Sequence, residues 1–157
     1  MSAPGELSLS KLLASLVPVL SPDTFVFATF PPNTTVPSTL PVQMIFRKAE
    51  GTTLITTKSV ADAEKIYYAF PSRMITLDVH SSLEAVGFIA VVANELKELG
   101  MGVNPVSGYF HDHLFVSEGR EEEAMECLRN IAKSAQEGED VCGVIRPCLQ
   151  LSGILNA

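Results

Sequence analysis

Met74-Ile-Thr-Leu-Asp-Val-His-Ser-Ser-Leu-Glu-Ala-Val-Gly-Phe88 carries a change of period. Ile75, Leu77 and Val79 alternate with Met74, Thr76, Asp78 and His80, the period-two pattern of a strand with one buried face. At Ser81 the pattern turns helical. Ser81 and Glu84 have capping-box spacing, in which the serine hydroxyl accepts a first-turn amide hydrogen and the glutamate reaches back, so a helix is expected from Ser81 to a left-handed stop at Gly100. Its core stripe would be Leu83, Val86, Ala90, Ala93 and Leu96. Phe88 and Val91 fall on the other arc, with Glu84, Glu95 and Glu98, and are candidate interface residues for the rest of the chain or a second copy.

Downstream, Met101 to Phe110 and His113 to Val116 read as two strands about a turn at His111 and Asp112. A helix follows from about Arg120 to Gln136, with Ala124, Leu128, Ile131 and Ala135 at helical spacing and Gly138 as its stop. Glu121, Glu122 and Glu123 suit its positive end. Val141 to Ile145 has the composition of one more strand. From Met74 onward, strand, helix, strand, strand, helix and strand make the ferredoxin-like βαββαβ plan.

Upstream, residues 1–6 read as frayed, and Leu7, Leu12, Leu13 and Leu16 suggest a short helix closed by Pro18 and Pro22. A strand is expected at Thr24–Phe30, then a long surface loop from Pro31 to Pro41, where four prolines stand among Asn, Thr and Ser. Met44–Lys48 and Thr53–Thr57 form a hairpin with Gly51 supplying the unusual backbone angle, and a short helix spans Val60–Ile66. The expectation is an α+β chain of two tandem units. They cover residues 1–71 and 72–137, meeting near Pro71 and Ser72, with 138–157 an additional strand and tail.

The chain has 157 residues, 46% hydrophobic and 18% charged, and a formal net charge of −7. A chain of this length can bury roughly two-thirds of its unfolded surface without staples. Its acidic balance, without a cluster of Lys and Arg, argues against DNA, RNA or anionic lipid as partners. No apolar run approaches the ~20 residues that cross a bilayer, and the N-terminus lacks a basic region leading into a long apolar stretch, so a cytoplasmic protein is expected. Cys127, Cys142 and Cys148 lack zinc-ribbon or redox spacing and read as free thiols.

Met74 to Phe88, followed by Gly102-Val-Asn-Pro-Val-Ser-Gly-Tyr-Phe-His-Asp-His-Leu-Phe-Val116, closely resembles an ACT-domain family of small tandem proteins. These are related to the regulatory tandem of aspartate kinases and to ACT-type arginine sensors. Phe25-Val-Phe-Ala-Thr-Phe-Pro31 and Glu50-Gly-Thr-Thr-Leu-Ile55 match the first half of that family, so the resemblance extends to about Ala135. The tail from Glu137 departs from it. The resemblance implies two ACT-like units that bind an amino acid or similar effector and act through domain or dimer interfaces. It implies no catalytic residue and no cofactor.

The residues support a site at the same place. Adjacent first and third strands bring His80 near His113, and helix-start amides around Ser82, Leu83 and Glu84 suit a carboxylate. Gly87 permits close approach and Val86 offers an apolar wall. The expected ligand-binding residues are Val79, His80, Ser81, Ser82, Leu83, Glu84, Ala85, Val86, Gly87, Asn104, Pro105 and His113. An alternative reads His80, His111 and His113 as a zinc site with an open position for hydrolysis. A third reading is a structural adaptor with a vacant ligand site. The chain carries no G-x-G-x-x-G, Walker loop, G-x-S-x-G or H-E-x-x-H motif.

Overall fold

The computed structural model describes residues 5–138. In chain order the elements are α1 (Leu9–Ala14), β1 (Pro18–Phe30), β2 (Met44–Lys48), β3 (Gly51–Thr57), α2 (Lys58–Ala63), β4 (Tyr68–Leu77), α3 (Phe88–Glu98), β5 (Val103–Ser107), β6 (Asp112–Ser117) and α4 (Glu121–Gln136). The strands form one six-stranded sheet in the order β2-β3-β1-β4-β6-β5, each neighbouring pair antiparallel.

Two long strands divide their length between two units. The first part of β1 pairs Pro18, Val19 and Leu20 with Leu77, Thr76 and Ile75 of β4. Its later part, Phe25–Phe30, pairs with β3, and Phe27 and Ala28 face Ala69 and Tyr68 at the start of β4. One ferredoxin-like unit therefore consists of late β1, β2, β3, α2 and early β4. The other consists of late β4, α3, β5, β6 and α4, with early β1 as its fourth strand. In the first unit the proline-rich segment 31–43 stands where the second has α3. β4 continues as one strand through Pro71 and Ser72, with a register shift against β1 between Ala69 and Ser72.

Both long strands shift register at the crossover, between Leu20 and Thr24 and again between Phe25 and Phe27. Pro22, which cannot donate to a ladder, sits in the first break. Phe70, at φ 55°, sits in the second. Arg73 fastens the first break: Nη2 donates to the Ser21 carbonyl at 2.8 Å, and Nη1 to Glu121 Oε1 at 3.0 Å. Pro18 is tolerated because it opens β1, which makes the strand longer than the expected Thr24–Phe30. The expected strand Met74–His80 likewise ends at Leu77 and begins earlier, at Tyr68.

Strand alternation sorts the core into two faces. Under α1, α3 and α4 lie Leu12, Leu13, Leu16, Ile75, Leu77, Leu96, Leu114, Val116 and Leu128. Beside α2 on the same face lie Ala28 and Leu54, covered in part by Leu40 from the proline-rich segment. On the opposite face Phe25, Ile55 and Phe115 are buried without a helix above them, because the sheet curls around them. Phe115 meets Phe25 and Phe27 edge-on, with centroids 5.8 and 5.4 Å apart. Strands of both units thus close on one aromatic cluster.

Several local expectations hold. The hairpin turns at Ala49 and Glu50, with Gly51 at φ 145° against the Phe30 carbonyl. Gly100 leaves α3 at φ 64°, and Gly138 follows α4 at φ 75°. Four expectations are corrected. Gly5 and Glu6 are not frayed, since Glu6 is hydrogen-bonded on both sides to the segment around Ser81. The third helix starts at Phe88, seven residues after Ser81. With that start, Phe88 and Val91 are core residues, 2% and 3% exposed, and no interface pair. Leu83 and Val86, assigned to the core stripe, are instead 68% and 83% exposed. The strand expected at Val141–Ile145, Cys142, Cys148 and the tail lie outside the described residues.

Truncating Phe115 removes a ring that both units share. Phe115→Ala is expected to cost about 3–5 kcal/mol while leaving one cooperative urea transition, followed by circular dichroism and by tyrosine fluorescence. Two separated transitions would contradict the shared core.

Candidate functional site

The segment between β4 and α3 is built from short-range turns. Val79 N–H donates to the Leu77 carbonyl and Ser81 N–H to the Val79 carbonyl, both at 2.8 Å; Ala85 N–H donates to the Ser82 carbonyl at 2.9 Å. Glu84 N–H donates to Ser82 Oγ at 3.2 Å, so the expected Ser81–Glu84 capping box is replaced by a serine turn. Ser81 is otherwise engaged: its Oγ donates to Asp112 Oδ2 at 3.3 Å, and its backbone neighbours bond to Glu6. These tertiary bonds outweigh the local helix signal. Gly87, at φ 93°, redirects the chain and becomes the N-cap of α3, offering no side-chain cap.

The resulting cavity measures about 140 Å³ and is lined by Ser81, Ser82, Leu83, Ala85 and Gly87 from the loop, by Phe88, Ile89 and Ala90 from α3, and by Ser107 and Asp112 from β5 and β6. Phe88, Ile89 and Ala90 form the first turn of α3, whose amides have no acceptor within the helix. Asp112 is 8% exposed. One wall therefore offers backbone donors at the positive end of a helix dipole, and another offers a carboxylate.

Five of the twelve expected ligand residues line this cavity: Ser81, Ser82, Leu83, Ala85 and Gly87. Val79 packs against the helix-covered core. The His80 ring meets Phe110 edge-on at 5.2 Å. Glu84 and Val86 are exposed and lie off the lining. Asn104 pairs with Phe115 and so falls on the helix-free face; Pro105 pairs with Leu114 and is also off the lining. His113 pairs with Thr76 and lies across the sheet from the cavity, with its Nδ1 3.0 Å from Thr76 Oγ1. Asp112 and Ser107 also line the cavity and lie outside the expected set. Period-two counting back from the apolar Leu114 and Val116 places Asp112 on the helix side, a signal masked by its reading as a turn residue.

The three histidines engage different partners. His111 Nδ1 donates to the Val79 carbonyl at 3.3 Å, and its Nε2 lies 3.7 Å from Asp78 Oδ1. With His80 against Phe110 and His113 across the sheet, the expected convergence of the rings does not occur. Among the described residues no three His, Cys, Asp or Glu side chains are grouped to hold a metal ion. The Cys127 thiol is half-buried, and burial together with Glu95 and Glu123 pushes its pKa up, away from thiolate reactivity.

Two units that share the long paired strands β1 and β4, with a small cavity at a strand-to-helix junction, define a tandem ferredoxin-like protein. Models of the ACT domain match residues 4–73 and 69–130, overlapping within β4. A Vibrio cholerae protein of unknown function, called a possible transport protein, is 35% identical, with a TM-score of 0.70 over 80% of this chain and 96% of that one. The chain belongs to the ACT-domain family and carries two ACT domains in tandem. The fold is also similar to that of aspartokinase alpha and beta subunits, at 12% identity and TM-score 0.56 over 76% of this chain and 99% of that one. It is similar as well to E. coli aspartokinase III in complex with aspartate and ADP, at 11% identity and TM-score 0.55, over 83% of this chain and 34% of that one. No curated protein matches the chain. ACT domains are typically regulatory modules that bind small molecules. Among the described residues no helix is long and apolar enough to cross a membrane.

His113 gives the site's surroundings a pH dependence. Burial pushes its pKa below the ordinary 6.5, the neighbouring His111 adds to the effect, and Asp112 opposes it. Between the lowered value and 6.5 the unfolded chain binds more protons than the fold, so stability rises with pH there and falls on acidification below about 6.5. The urea midpoint is therefore expected to drop between about pH 7 and pH 5, and His113→Gln to flatten that drop. An equal slope in the variant would assign the dependence to other groups.

Proposed function

We propose that this chain is a non-enzymatic regulatory module whose second ACT unit binds an amino acid or closely related small metabolite in the cavity between Ser81 and Asp112. The observation that carries the reading is the pairing of opposite polarities across one small cavity. The α-carboxylate of an amino acid suits the free amides of Phe88, Ile89 and Ala90. Its α-ammonium suits the Asp112 carboxylate, which Ser81 Oγ orients. A volume of about 140 Å³, below the ~300–1,000 Å³ usual for drug-sized ligands, favours a short side chain.

The effector-binding unit in this reading comprises residues 72–137 completed by Pro18–Leu20 of β1. The first unit has the segment 31–43 where a helix N-terminus would be, so one effector per chain is proposed. Occupancy passes through a domain or dimer interface in the cytoplasm, toward a second copy or a regulated partner protein. The route within the chain has physical support: the site loop leaves the end of β4, the strand both units share, and Asp78 N–H holds that end to the Val17 carbonyl at 2.8 Å.

Isothermal titration of the purified chain with the twenty amino acids tests the reading. Aspartate, present in the aspartokinase III complex, belongs in the panel beside the smaller residues. One or a few amino acids are expected to bind with a stoichiometry of one. Asp112→Asn, which keeps the shape and removes the charge, is expected to weaken binding about 10- to 100-fold, the scale of a charged hydrogen bond worth about 1.5–3 kcal/mol. Binding unaffected by Asp112→Asn would place the effector elsewhere.

A further inference from the structure

The segment that precedes α1 does more than lead into a helix. Glu6 N–H donates to the His80 carbonyl at 2.9 Å, and the Glu6 carbonyl accepts from Ser82 N–H at 3.0 Å. This parallel bridge brackets Ser81, the residue whose hydroxyl reaches Asp112. Gly5 lies directly on the same backbone: a Cβ there would fall 2.6 Å from the Ser81 carbonyl carbon and 2.7 Å from Ser82 Cα, distances that no side chain sustains. Four residues after Gly5 the same segment touches the other end of the loop, where Leu9 packs beside Gly87.

We infer that residues Gly5 to Leu9 form a positioning arm for the effector site. The arm holds the loop at Ser81–Ser82 through its backbone and at Gly87 through Leu9, and so sets how Ser81, the Asp112 carboxylate and the first turn of α3 stand relative to one another. The inference rests on the effector reading above and assigns to it residues that contact no ligand themselves. Two features separate the arm from ordinary packing. Its bonds to the loop are made by the main chain of Glu6, while the Glu6 side chain is occupied elsewhere, its Oε1 accepting from Leu7 and Ser8 N–H at 2.9 and 2.8 Å. And the arm continues into α1, which is joined to α4 where Gln136 Nε2 donates to the Ala14 carbonyl at 2.7 Å. A movement of α1 or α4 thus reaches the cavity through the arm and its hydrogen bonds to the loop.

The test compares the full-length wild type with Gly5→Val, Glu6→Pro and Glu6→Ala, reading both amino-acid affinity and amide hydrogen exchange. Gly5→Val lifts the arm by steric conflict, and Glu6→Pro deletes the N–H that donates to His80. Both are expected to speed exchange at Ser82 at least tenfold and to weaken the effector at least tenfold, with the protection of Val92 and Leu96 in α3 unchanged. Glu6→Ala keeps the main-chain bridge and removes the side-chain bonds to Leu7 and Ser8 N–H, and is expected to speed Ser82 exchange and weaken the effector several-fold less than Glu6→Pro. Fast Ser82 exchange with undiminished affinity would overturn the arm as a positioning element and leave the effector reading intact. Ser82 exchange unchanged in both Gly5→Val and Glu6→Pro would also overturn it, by showing that the bridge does not hold the loop. A wild type that binds none of the twenty amino acids would overturn the effector reading and the arm's role with it.

Discussion

The antiparallel pairing of β1 with β4 is the constraint on which the rest of the molecule depends. Each strand is long enough to serve as an edge-to-core element in both ACT units, and each changes register where one unit gives way to the other. The crossover costs regular ladder bonds. Arg73 offsets part of that loss by bonding the Ser21 carbonyl within the break and pairing with Glu121 at the start of α4. Along β1 the period of two survives both breaks: Leu20 and Ala28 lie on the helix-covered face, and Phe25 and Phe27 lie in the aromatic cluster on the other.

The cavity follows from that pairing. β4 ends at Leu77, where Pro18 opens β1 opposite it, and the chain must then travel to α3 without a strand partner. Two-residue turns, a serine turn and the left-handed Gly87 supply the path. The arm from Gly5 to Leu9 closes it from the N-terminal side. A helix N-terminus without a side-chain cap is left facing a buried carboxylate from β6, an arrangement suited to a ligand bearing both charges. A buried carboxylate such as that of Asp112 acts more strongly on a complementary charge than one on an open surface.

What was legible in the sequence was mostly local. The alternation from Met74 to Leu77, the glycine at position 51, the glycine stop at 100 and the apolar spacing of α4 each reflect contacts within a few residues or a repeated period, and the tandem ACT plan was readable through resemblance. What escaped depended on partners far along the chain. Pro18 looks like a helix terminator until Leu77 is placed beside it. Ser81 looks like a cap until Glu6 and Asp112 claim its backbone neighbours and its hydroxyl. That one displaced helix start turned Phe88 and Val91 from a surface pair into core residues. His113 was drawn into the site because strand adjacency was counted and strand facing was not; one residue earlier, Asp112 points the other way.

The most direct measurement of the central claim is the amide nitrogen–proton spectrum of the chain during titration with a binding amino acid. The account predicts that the largest shifts fall on Phe88, Ile89 and Ala90, with smaller ones at Ser81, Ser82 and Asp112. Shifts centred instead on the apolar groove between Phe27, Thr53 and Tyr67, with the first turn of α3 unmoved, would contradict it.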